Sequence, residues 1–269
     1  MTTSDVKGFS ASNLKFEIHP SREAAGLAAA RAAARSMSSL AARDPAVAVI
    51  FATGASQLAM LKALTSIPGL PWDRITGFHM DEYLDISADH PASFRRYLRD
   101  NLTRLVPMRE FHEIDGAEAN AEKTCAGYSS LLRASNPQLC LLGIGENGHL
   151  AFNDPAEANF WDSADAKVVA LDRKCREQQV AEGWFPDIGA VPKQAITLTI
   201  PALLRVPKLI ASVPGERKAA IVARVIKDPI STNCPATILK AHPDATVYLD
   251  EASGALVESL VRSGSETHA

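Results

Sequence analysis

Leu139-Cys-Leu-Leu-Gly-Ile-Gly-Glu-Asn-Gly-His-Leu-Ala-Phe-Asn-Asp-Pro155 is the stretch from which the rest of the chain is best read. It opens on a short apolar run, as a fully buried parallel strand does. Gly143, Gly145 and Gly148 follow, where the backbone can turn sharply or approach a ligand. Glu146, Asn147, His149, Asn153 and Asp154 sit within the same turn. Open α/β sheets place their active sites where a buried strand gives way to such a turn. A polar turn with a surface histidine is the plain alternative, and the density of glycines, acids and amides weighs against it.

Working outward, strands and helices alternate. Leu14 to His19 reads as a short edge strand, Ser21 as an N-cap and Arg22 to Ala42 as a helix. Val47 to Phe51 reads as a buried strand that runs into Thr53-Gly-Ala-Ser56 and a helix from Leu58 to Leu64. Small residues before a helix expose backbone N–H groups to an anion, although serine and threonine there are also common caps. Trp72 to His79 reads as a strand leading into Met80-Asp-Glu-Tyr83. Successive strand residues point opposite ways, so only one of Asp81 and Glu82 can face a given pocket; an acidic cap on the next helix is the competing reading. Arg95, Arg96 and Arg99 on the helix Phe94 to Leu105 read as a solvated face.

Further on, Ala119 to Ser135 and Arg173 to Ala181 read as helices, Lys167 to Leu171 as a strand, and Ala195 to Ile200 as a half-exposed strand. Leu209 to Val213 leads into Pro214-Gly-Glu-Arg-Lys218, where a cation meets the start of the helix Ala219 to Ile226. A strand at Val247 to Leu249 and a helix from Glu251 to Val261 close the chain, and residues 1–13 read as a frayed tail. No repeat or linker divides the sequence. The expectation is one α/β domain over 1–269: a mainly parallel, doubly wound, Rossmann-like sheet with helices on both faces.

Composition narrows the function. At 46% hydrophobic and 22% charged residues the chain is ordinary for a globular protein. A formal net charge of −3 gives no reason to expect nucleic acid or an anionic membrane as partner. No apolar run approaches a membrane span, and no signal-peptide core is visible. Cys125, Cys140, Cys175 and Cys234 lie far apart without a CxxC pair, as reduced thiols of a cytoplasmic protein do.

Phe78-His-Met-Asp-Glu-Tyr83 and Gly145-Glu-Asn-Gly-His-Leu-Ala-Phe-Asn-Asp-Pro155 resemble the glucosamine-6-phosphate deaminase/isomerase family, which is related to the 6-phosphogluconolactonases. Thr53-Gly-Ala-Ser56, Gly215-Glu-Arg-Lys218 and Cys234-Pro-Ala-Thr-Ile-Leu-Lys-Ala-His-Pro243 extend the resemblance over most of the chain. The acid-rich MDEY points to the deaminase branch. The resemblance implies conversion of glucosamine 6-phosphate and water to fructose 6-phosphate and ammonia, with no cofactor and no metal. It implies Asp81 as the base that moves a proton between C2 and C1, and His149 as the group that opens the sugar ring. Asp154 stands where the family has a glutamate that orients that histidine, and Asn147 where it has an aspartate. Lys218, Thr53, Gly54, Ala55 and Ser56 correspond to the phosphate cradle. Glu82 and Gly148 join the binding set, as does Arg176, the nearest candidate for a family phosphate-binding arginine. An isomerase or lactonase acting on another hexose 6-phosphate, or a non-catalytic sugar-phosphate binding module, is the alternative. Members of the family occur as single chains and as symmetric homo-oligomers.

Overall fold

The computed structural model describes residues 6–181 and 183–257. Its strands, in chain order, are β1 (Lys7–Ala11), β2 (Leu14–His19), β3 (Val47–Phe51), β4 (Ile75–His79), β5 (Asp81–Tyr83), β6 (Glu110–His112), β7 (Leu139–Leu142), β8 (Ala166–Ala170), β9 (Gln194–Leu198), β10 (Lys208–Ser212) and β11 (Ala245–Asp250). Eight of them form the main sheet in the order β1-β2-β11-β10-β7-β3-β4-β6. All its pairings are parallel except that of β1 with β2.

The central strands carry the reason for this arrangement. All five residues of β3 are buried. Val47, Val49 and Phe51 enter a core beneath the helices Arg22–Ala41, Leu58–Thr65 and Phe94–Leu98, whereas Ala48 and Ile50 enter the opposite core. That second core is closed by the helices Ala121–Ser135, Ile200–Leu204 and Ala219–Lys227. A strand flanked by apolar side chains on both faces is stable only between two helical layers, each buried Val or Ile contributing about 1.5–3 kcal/mol. The chain leaves β3 towards β4 but returns on the other side as β7, so the sheet has its switch point between β3 and β7.

Three expectations are corrected. Residues 7–11 are not part of a frayed tail: they form β1, whose Phe9 stacks on Phe16 of β2 at 4.7 Å between ring centres, so β2 is not an edge strand. Ala195 to Leu198 is buried, not half-exposed, because it is the middle strand of a second sheet, with Ile196 and Leu198 packed into one core and Ala195 into another. This antiparallel sheet, in the order β5-β9-β8, is absent from the simple doubly wound reading. It packs its own core around Tyr83, Phe152, Cys175 and Phe185. At the C-terminus, Glu251–Gly254 is helical, with Asp250 and Ser253 capping each other, and the expected continuation beyond residue 257 lies outside the described residues.

Candidate active site

Strands β3, β7 and β10 are neighbours, and each ends in a glycine-containing turn. After β3, Gly54 adopts φ 96° and ψ 166°, followed by a 3-10 turn at Ala55–Gln57 and the helix Leu58–Thr65. After β10, Gly215 adopts φ 101° and ψ 144°, followed by a 3-10 turn at Glu216–Lys218 and the helix Ala219–Lys227. The two loops therefore repeat one conformation, and positive φ restricts both hinge positions to glycine. Each aims the N-terminal N–H groups of a helix at the space above β7, an arrangement that attracts anions. Tyr97 steadies the first loop by donating its hydroxyl to the Gly54 carbonyl at 2.8 Å.

A cavity of about 490 Å³ opens there. Thr53, Gly54, Ala55, Ser56, Asp81, His149 and Lys218 all line it. Arg22 also lines it, at the start of its helix and with its guanidinium 3.0 Å from where a side chain on Gly215 would begin. Nothing local in the sequence marks Arg22 as functional; only the placement of β2 beside β11 brings it to this end of the sheet. Arg217, paired with Glu146 at 3.2 Å, bridges the loops after β10 and β7.

Asp81 begins β5, one residue after the main sheet is left at His79–Met80, and is only 6% exposed. Its Oδ1 is buried without a hydrogen-bond partner. Burial, reinforced by the nearby charge of Glu82, pushes the Asp81 carboxyl up to about 8. Glu82 points the other way, as alternation along a strand requires. It does not line the cavity. Its carboxylate accepts from the Ser93 hydroxyl at 2.7 Å, from the Phe94 and Arg95 main-chain N–H groups at 3.1 and 3.0 Å, and from Arg95 Nε at 3.2 Å. Glu82 thus anchors the following helix and faces away from the cavity. Arg95 correspondingly is buried at 5% exposure instead of solvated, and also reaches Asp115.

His149 donates or accepts at Nδ1 with Asp154 Oδ1 at 2.9 Å. Burial works against the Asp154 charge, but hydrogen bonds from His149, Asn147 and the Asp172 main-chain N–H outweigh it and hold Asp154 below its ordinary value. An ionised Asp154 only accepts, so Nδ1 carries the proton and Nε2 is left for the cavity. Asp154, though shorter than a glutamate, therefore reaches the imidazole. Asn147 lies behind this pair and not in the cavity, donating to Asp154 at 2.8 Å and accepting from the His149 main-chain N–H at 3.0 Å. Gly145 supports the ring from below: a Cβ there would lie 2.2 Å from Nε2.

Two other expected positions are placed elsewhere. Gly148 packs against Cys234 and Ile221, where its φ of 90° and the close thiol explain the glycine without a ligand. Arg176 is turned from the cavity, its guanidinium donating to the carbonyls of Ile188 and Val191. It fixes the loop before β9. Among the described residues, the ligand atoms of His149, Asp154 and Cys175 lie within 4.8 Å of one another, the grouping with potential to hold a metal.

Comparison with known proteins bears on the family and the fold. The family model described as glucosamine-6-phosphate isomerases/6-phosphogluconolactonase matches residues 20–248. The chain is 34% identical over 216 residues to a glucosamine-6-phosphate deaminase of Exiguobacterium sp. (strain AT1b), covering 80% of this chain and 83% of the relative. It is 34% identical over 183 residues to a glucosamine-6-phosphate deaminase of Listeria innocua, covering 68% and 76%. Among solved structures, a monomeric glucosamine-6-phosphate deaminase is similar with a TM-score of 0.82 at 27% identity, covering 90% of this chain and 99% of that one. The fold is shared with the 6-phosphogluconolactonase of Thermotoga maritima, with a TM-score of 0.70 at 19% identity over 88% and 98%.

Proposed function

The chain belongs to the glucosamine-6-phosphate isomerase/6-phosphogluconolactonase family, and we propose that it is an enzyme of the deaminase branch, converting glucosamine 6-phosphate and water to fructose 6-phosphate and ammonia. The observation that carries this reading is that Asp81, His149 and both anion-attracting turns share one cavity. Phosphate sits against the turns at Gly54 and Gly215, with Lys218 and Arg22 adding charge. His149, oriented by Asp154, takes the proton of the C1 hydroxyl at Nε2 and passes it to the ring oxygen as the bond between that oxygen and C1 breaks. Asp81 takes the proton from C2 of the open-chain sugar and returns it at C1, while one proton of the C2 ammonium passes to the C1 oxygen. The iminium left at C2 adds water and releases ammonia, which leaves a ketone.

Asp81 is suited to this role by its surroundings. In the empty cavity its raised value keeps it protonated near neutral pH. The ammonium group on C2 of the substrate offsets this by opposite charge and delivers the carboxylate where the C2 proton is taken. Lactone hydrolysis, by contrast, transfers no proton from C2. The buried, unpaired state of Cys125, Cys140, Cys175 and Cys234 is compatible with a cytoplasmic setting, and no helix among the described residues is long and apolar enough to cross a membrane.

The test is a direct competition between the two branches. Purified protein is given glucosamine 6-phosphate, glucose 6-phosphate and 6-phosphogluconolactone separately. Turnover of the amino sugar alone, with ammonia formed, is expected. Faster turnover of the lactone, without ammonia from the amino sugar, would place the chain in the other branch.

A further inference from the structure

Behind the His149–Asp154 pair, the Asn147 amide lies between two carboxylates. Its Nδ2 donates to Asp154 Oδ1 at 2.8 Å and approaches Asp172 Oδ2 at 3.4 Å, while its Oδ1 accepts from the His149 N–H at 3.0 Å. Both amide hydrogens and the carbonyl are thereby engaged. Flipping the amide would turn its oxygen towards two acids, so the two carboxylates together leave one orientation. The Asp172 main chain also helps to hold the Asp154 carboxylate ionised. The other carboxylate oxygen of Asp172, Oδ1, caps the helix Arg173–Ala181 by accepting the Cys175 N–H at 2.6 Å.

An amide in this position carries no charge, and on its own it can hold the imidazole's partner but cannot favour an imidazolium. Resting on the reading of His149 as the ring-opening acid, we infer that Asp172 is a positioning residue for the reaction: through Asn147 it fixes the Asp154–His149 pair and supplies the second negative charge behind it. Asp172 touches neither the cavity nor the sugar. Its action runs through the chain Asp172–Asn147–Asp154–His149. Sequence reading could not reach it, because 23 residues and the whole of β8 separate Asp172 from His149.

The test separates charge from capping. Asp172→Asn keeps the helix cap, since asparagine caps as well as aspartate, and removes the charge. The expected result is a fall of about tenfold in kcat for glucosamine 6-phosphate with KM changed by less than about threefold. A second readout does not depend on turnover. The Nδ1–H proton of His149, observed by NMR, is sheltered from exchange in the wild-type protein and is lost to exchange in Asp172→Asn. Absence of ammonia from the wild-type enzyme sinks the deaminase reading, and the Nδ1–H signal then judges Asp172 alone. Asp172→Asn with an unchanged Nδ1–H signal and wild-type kcat overturns the inference.

Discussion

Gly145→Ala isolates the placement of the His149 imidazole, to which the proposed reaction gives the ring-opening role. The φ of Gly145 is not positive, so the backbone accepts alanine, and the obstacle is the ring itself. The added Cβ would lie 2.2 Å from His149 Nε2, 2.3 Å from Cε1 and 2.4 Å from Cδ2, where ordinary contact begins at 3.4 Å. The backbone cannot yield easily, because the Gly145 N–H is tied to the His149 carbonyl at 3.0 Å and the Gly148 N–H to the Gly145 carbonyl at 3.0 Å. The ring must therefore retreat by about 1.2 Å, which stretches the 2.9 Å contact with Asp154 beyond hydrogen-bonding range. Misplacing a catalytic group by about 1 Å costs roughly 10²-fold in rate, or about 2.7 kcal/mol of activation free energy. The phosphate-binding turns are untouched, so KM holds. Losing one hydrogen bond costs about 1 kcal/mol of stability, and the melting temperature falls by only about 2–4 °C. Steady-state ammonia release and thermal melting measure both quantities. A folded Gly145→Ala enzyme with kcat within about twofold of wild type would refute the argument that the glycine exists to seat the ring.

Other perturbations separate the remaining roles. Asp81 sits at about 8 against an ordinary 3.8, so its contribution to stability is complete below pH 3.8 and is lost as pH rises through 8. Burial and Arg95 hold His79 at about 3 instead of 6.5, so its contribution is lost only as pH falls below 6.5. Between pH 6.5 and 8 the melting temperature of the wild type should therefore fall more steeply than that of Asp81→Asn, whose amide stands in for the protonated acid; equal slopes would count against a raised Asp81. Lys218→Ala removes a charge-assisted contact worth about 1.5–3 kcal/mol, which raises KM by roughly 10- to 100-fold while kcat stays near wild type, as initial rates would show. Glu82→Ala takes the shared acceptor from the Ser93 hydroxyl, the Phe94 and Arg95 main-chain N–H groups and Arg95 Nε, and costs about 3–5 kcal/mol in denaturant unfolding; a loss below 1 kcal/mol would return Glu82 to the list of binding candidates.

How far the sequence could be read depended on whether a feature is local. Val47–Phe51, Leu139–Leu142 and Lys208–Ser212 are apolar runs ended by glycine, and their strands, the parallel sheet and the turns at Gly54 and Gly215 follow from composition. Asp81 and His149 are legible for the same reason, as polar groups just past strand ends. Glu82 and Arg176 show the limit. Each is chemically suited to a site, but Glu82 is turned away by strand alternation and Arg176 by unpaired loop carbonyls, neither of which spacing reveals. The small sheet was hidden because β5, β8 and β9 lie over 110 residues apart at their extremes and pair antiparallel across the site. Arg22 and Asp172 were invisible because their partners come from distant segments.

The central claim is that Asp81 moves a proton in a reaction that releases ammonia. The measurement that tests it most directly is the simultaneous quantification of ammonia and fructose 6-phosphate formed from glucosamine 6-phosphate by the wild-type protein and by Asp81→Asn. Equal amounts of both products from the wild type are predicted, with neither product from a variant that still binds the sugar phosphate. Ketose without ammonia, no product from the wild type, or undiminished turnover in Asp81→Asn would contradict the account.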